Sequence, residues 1–97
     1  MSLDSSMDKV LERRREVENR LSDSANMNNN DLAQVSRELS DLRPVCEQIE
    51  LVRRIEAELA DALIMVEEAG NDPDMVEMAQ TEANLLKAQL PDAQAAL

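Results

Sequence analysis

From Asp31 to Ala69 an apolar residue recurs every three or four positions, in a stretch with one proline and no glycine. That period marks a helix with one buried stripe. At 1.5 Å per residue a continuous helix of this length would span roughly 58 Å, more than the width of a small domain. Asp31, with Gln34 three positions on, offers a variant capping box for its start. In the first half the apolar positions are Leu32, Val35, Leu39, Leu42, Cys46 and Ile49, a coiled-coil-like seam of alternating three- and four-residue steps. Continued in register, the seam would need apolar residues where Arg53 and Glu56 stand. It resumes instead at Val52, Ile55, Leu59, Leu63 and Val66. A slip of one residue turns the buried face by about 100°, so the helix is expected to offer two faces to two partners. Pro44 lies inside the first seam, where an interior proline removes a backbone bond and crowds the preceding turn. Because the apolar phase passes undisturbed from Leu42 to Cys46, a kink is favoured; a break would give a more compact four-helix fold.

The flanking segments carry the same period. Residues 4–21 predict a helix with Met7, Val10, Leu11, Val17 and Leu21 on one stripe, interrupted by Arg14, and with Ser5 or Ser6 as its cap. Residues 22–30 are rich in Ser and Asn, which compete for backbone hydrogen bonds, and predict a loop. Gly70 fits the left-handed position just past a helix end. Asp72 can cap the next helix, Pro73 can occupy its first turn, and Asp74 favours its positive end. These signals predict a turn over 70–72 and a helix over 73–90, with Met75, Met78, Ala79, Leu85, Leu86 and Leu90 marking its apolar side. Pro91 is expected to end that helix, leaving a tail at 91–97. Residues 1–3 read as an appended leader, and 4–97 as a single helical domain whose Ala-rich end suggests a cut from a longer protein. Short connections imply antiparallel neighbours. The fold class expected is therefore all-α: an elongated, three-helix, antiparallel, coiled-coil-like domain, with a long central helix (31–69) flanked by two shorter ones.

Composition narrows the function. The chain has no Phe, Tyr or Trp, so its core lacks the side chains that bury the most area, and modest stability is expected. The longest apolar run, Ala62 to Val66, is far short of the roughly 20 residues a membrane span needs. There is no histidine, and Cys46 is the only cysteine. A disulfide framework, a zinc-ligand set and a His-based general base cannot be assembled from such a chain. No catalytic, cofactor-binding or metal-binding residue is expected. Cys46 reads as a small buried hydrophobe, and a lone cysteine points to a reducing compartment, hence the cytoplasm. Acidic pairs such as Glu67 with Glu68 and Asp72 with Asp74 read as solvated faces or caps in preference to a Mg²⁺ site.

The net charge of −11 is unevenly spread: residues 4–21 hold five acids and five bases, 22–53 six and three, and 54–97 ten and two. A chain this acidic is a poor autonomous nucleic-acid binder, since phosphate neutralisation needs clustered Lys and Arg. The one basic patch is Arg13, Arg14 and Arg15, backed by Lys9 and Arg20. Pairing with Asp8, Glu12, Glu16 and Glu18 at helical spacing would make it a solvated face; otherwise Arg13, Arg14 and Arg15 are the candidate contact for an RNA surface.

Residues 72–82, DPDMVEMAQTE, with Gly70 and Asn71 before them, resemble the start of the third helix in the amino-terminal domain of the bacterial peptide chain release factor 1 family. VSRELSDL at 35–42 is similar to that family's first stretch of long helix, and Leu21-Ser22-Asp23 to its first helix end. The resemblance covers about residues 7–90. It implies a class I release factor, which recognises stop codons UAA and UAG and triggers hydrolysis of peptidyl-tRNA. The family's Gly-Gly-Gln and Pro-x-Thr motifs lie in later domains and do not occur here, so no catalytic residue carries over. The resemblance further implies that this domain projects toward the stalk-base region of the large ribosomal subunit and is associated with the class II release factor GTPase. The chain departs from the family at Leu39, where an aromatic is common, and at Pro44. The competing reading is a free-standing helical adaptor or chaperone, which acidic charge and six methionines also fit. On either reading, the exposed apolar flanks of an elongated spine would favour self-association of the isolated chain.

Overall fold

The computed structural model describes residues 2–97. Three helices, α1 (Leu3–Ser22), α2 (Asn29–Ala69) and α3 (Pro73–Ala95), account for nearly all of it, with a single 3₁₀ turn at Ser24–Asn26. Among the described residues there is no strand. The all-α class and the long central helix agree with the sequence expectation. Pro44 does not break α2, which runs unbroken through it with the proline exposed. Packing divides the chain into two compact units, Met1–Ile49 and Glu50–Leu97. The division falls where the apolar seam slips, between Ile49 and Val52.

In the first unit the ends of the helices differ from expectation by their caps. The cap of α1 is Ser2, whose Oγ accepts from the Ser5 amide at 3.1 Å, so the helix starts at Leu3 and Ser5 and Ser6 lie inside it. At α2 the cap is Asn28, three residues before the expected Asp31. Its Oδ1 accepts from the Asp31 amide at 2.8 Å and its carbonyl from Leu32 at 3.0 Å. Asp31 is thereby moved into the first turn, where its charge favours the positive helix end. Between them the Asn26 side chain donates to Asp23 Oδ1 at 2.8 Å, closing the 3₁₀ turn. The stripe then packs as read: Met7 and Val17 on α1, and Val35, Cys46 and Ile49 on α2, are all buried. Cys46, with no exposed surface, is the small buried hydrophobe expected.

In the second unit the punctuation is as read, whereas the buried face is not. Gly70 takes φ +56° and Asp72 Oδ1 accepts from the Met75 amide at 3.3 Å, with Pro73 at the first position of α3. The left-handed backbone at 70 is where a side chain would be strained. However, α3 does not stop at Pro91 but continues to Ala95. Proline forfeits one backbone bond there, yet Ala93 beyond it is 7% exposed, so packing of the last turn holds the helix on. The buried positions of α3 are Ala79, Ala83, Leu86 and Ala93, a three-and-four stripe made mostly of alanine. Met75, Met78 and Leu85, expected on the apolar side, are 54%, 74% and 53% exposed. On α2, Val52, Ile55 and Ala62 are buried, whereas Leu63 is exposed. Arg53 and Glu56, which interrupt the first seam, are half-buried. Alanine at the contacts lets two helices approach closely, and a close approach leaves no room at the seam for longer side chains.

Candidate functional site

The arginines at 13–15 project from the middle of α1, in the first unit, and the structure gives them three different roles. Arg13 reaches across to α2, 25 residues away in sequence. Its Nε donates to both carboxylate oxygens of Glu38, at 3.2 and 3.0 Å, and its Nη2 donates to Glu38 Oε1 at 2.6 Å. Its Nη1 also donates to Glu16 Oε2 at 3.2 Å, one turn along α1. A planar guanidinium engaging a carboxylate with two nitrogens is the strong form of such a pair, being both charged and directional. The Arg13 pKa is accordingly raised, first by the Glu38 hydrogen bonds, and the Glu38 carboxyl is held below its ordinary value by Arg13, against a smaller opposing effect of desolvation. Both groups remain solvated, so the pair orients the helices more than it stabilises them.

Arg14, half-buried, pairs with Glu18 at 3.6 Å, four residues on. Arg15 is exposed. The expected i,i+3 and i,i+4 pairing within α1 is therefore real for Arg13 and Arg14. The Arg13 to Glu38 contact was invisible to local spacing, because it depends on α1 lying antiparallel beside α2. Arg20, named at first only as support, is the cation the local pattern undervalued. With Arg13, Gln34, Val35 and Glu38 it lines a depression of about 290 Å³, and with Asn19, Asp23, Asn26, Met27 and Asp31 a second of about 330 Å³. Arg20 also lowers the Glu38 pKa through its charge. What this surface can do is present guanidinium groups in a mixed-charge setting to an acidic or phosphate-bearing partner.

Among the described residues no polar or charged residue is fully buried, and no group of three His, Cys, Asp or Glu is placed to hold a metal ion. No described helix is long and apolar enough to cross a membrane.

Residues 10–97 match the family model for the PCRF domain. The chain is 40% identical over 91 residues, 94% of its length, to peptide chain release factor 1 of Ruegeria pomeroyi, of which it covers 24%. It is 45% identical over 67 residues to the Roseobacter denitrificans factor of the same name, covering 69% of this chain and 18% of that one. For the Caulobacter vibrioides peptide chain release factor 1 the figures are 36% over 85 residues, 88% and 22%. The chain thus spans about a quarter of the length of the relatives it matches. No solved structure matches it. With its three helices and a match running from Val10 to Leu97, the chain belongs to the PCRF domain family, whose members among its relatives are peptide chain release factors.

Proposed function

We propose that this chain is the amino-terminal helical interaction domain of a class I translation termination factor. The observation that carries the reading is the PCRF match over residues 10–97, together with relatives called peptide chain release factor 1. In this reading the whole factor recognises UAA and UAG and promotes peptidyl-tRNA hydrolysis in the cytoplasm, with the Gly-Gly-Gln chemistry in other domains. The helical domain meets the stalk-base region of the large ribosomal subunit and a class II release factor GTPase. It contributes contacts and no catalysis of its own. Of the three arginines first singled out, Arg15 is the one best supported as such a contact, since Arg13 and Arg14 are engaged within the unit.

The test is peptide release from ribosomes carrying formyl-methionyl-tRNA at a stop codon. The isolated chain is expected to release nothing. A full factor carrying this domain is expected to be active, and Arg15→Glu in it to raise KM several-fold at unchanged kcat, the sign of lost binding common to ground and transition states. Release by the isolated chain would overturn the assignment of chemistry to other domains. An unchanged KM would remove Arg15 from the contact surface.

A further inference from the structure

Beside the alanine seam of the second unit, α2 and α3 leave a groove of about 310 Å³ lined by Ala62, Met65, Met75, Met78, Ala79 and Glu82. Its walls are mostly apolar, yet Met65, Met75 and Met78 are each more than half exposed. Leu85, one turn beyond Glu82 on the same side of α3, extends the apolar wall and is also exposed. Flexible thioethers on a surface are suited to accept a partner's side chains, because they repack at little cost. From Met75 to Leu85 the wall runs for about 15 Å, the length of two to three helical turns. A helix laid into a groove through residues one turn apart is the recognition mode that fits two parallel walls, and among the described residues no strand edge is on offer.

Charge selects the occupant. Glu82 is in the wall, and Asp74 and Glu77 flank Met78 in the adjoining depression of about 440 Å³. On α2, Asp61 and Glu68 lie one turn before and after Met65. Of the three bases in this unit, Arg53 is half-buried, Arg54 faces Glu58 at 3.9 Å, and Lys87 falls on the flank of α3 away from the groove by helical spacing. Residues 50–97 hold eleven acids and three bases. A second copy of this face would bring like charges together around the methionines, whereas a basic helix would neutralise them. We propose that this groove docks a cationic amphipathic helix of a partner protein, with apolar residues one turn apart seated against Met65, Met75 and Met78 and lysine or arginine meeting Glu82 and the acidic rim. The inference does not rest on the termination reading and would hold equally for a free-standing adaptor.

The test uses the whole chain and a fluorescent 18-residue peptide of leucine and lysine at helical spacing, followed by anisotropy at physiological salt. The double variant Met65→Gln with Met78→Gln is expected to weaken binding at least about tenfold, as for loss of a central anchor. Glu82→Lys is expected to weaken it as well. Ile64→Gln, a change of the same kind at an exposed residue on the far side of α2 from the groove, is expected to leave it within about twofold. All these positions are solvent-exposed, and far-ultraviolet circular dichroism verifies that the variants fold. Equal binding by the methionine and Ile64 variants would mean the peptide is held by net charge alone and would overturn the proposal. Sedimentation of the chain as a dimer that Met78→Gln converts to monomer would also overturn it, naming a second copy as the occupant.

Discussion

The two halves of α2 are packed by different chemistry. In the unit ending at Ile49 the buried residues are Met7, Val17, Val35, Cys46 and Ile49, and the helices are also tied by Arg13 and Glu38. In the unit beginning at Glu50, four of the seven buried residues are alanines. The surface records the difference. Among the described residues eight large apolar side chains are exposed: Leu3 in the first unit, and Leu63, Ile64, Met65, Met75, Met78, Leu85 and Leu97 in the second. A seam of large residues consumes its own apolar material. A seam of alanines brings helices close and leaves the large residues outside, where they cost solubility unless something covers them. Two solutions to helix pairing within one chain thus differ in what they leave available for binding.

The comparison can be broken most severely by emptying the first seam. Ile49→Ala is expected to lower stability by about 2–5 kcal/mol, and Ile49→Val by about 0.5–1.5 kcal/mol, in urea unfolding followed by circular dichroism. If Ile49→Ala cost no more than a surface substitution, the first unit would not depend on large side chains. The reverse change probes the second seam: Ala83→Leu at a position with no exposed surface is expected to cost about 1–3 kcal/mol through overpacking. A neutral or stabilising outcome would show that the alanine seam has room to spare. The smallest effect belongs to the ion pair. Glu38→Gln is expected to lower the melting temperature slightly at pH 7, with a difference that shrinks in 1 M salt, where screening acts over about 3 Å. Because the Glu38 carboxyl is held below its ordinary value by the Arg13 hydrogen bonds, its contribution is fully present above the ordinary carboxylate range and lost as pH falls through the lowered folded-state pKa; Arg13, whose pKa is raised by the same contact, stays charged throughout. A difference that persisted unchanged in acid would exclude the carboxylate as its source.

Much of this was legible in the sequence because it is written in local spacing. Gly70, Asp72 and Pro73 announce their turn through backbone requirements that few other residues meet, and the slip from Ile49 to Val52 is a matter of counting. The departures share a cause. Periodicity weights residues by hydrophobicity, so it places Met75, Met78 and Leu85 on the apolar side with Ala79 and passes over Ala83, although it is small size that suits a close helix contact. Pro91 was read as a stop because its local cost is evident and the packing of Ala93 beyond it is not. Asn28 was missed as a cap because it stands in a run of asparagines, any of which could have served. The pairing of Arg13 with Glu38 lies beyond any local pattern, because it joins side chains on two different helices.

Cys46 gives the first unit a clock. A thiol with no exposed surface can meet an alkylating reagent only when its surroundings open, so the rate of labelling reports the population of the opened state. The only thiol in the chain makes that signal unambiguous, and none is present in the second unit. Substitutions at Ala83 that accelerate labelling at Cys46 would therefore measure how far a disturbance travels along α2, the helix that both units share. The same helix that separates two modes of packing would then set the distance over which they unfold together.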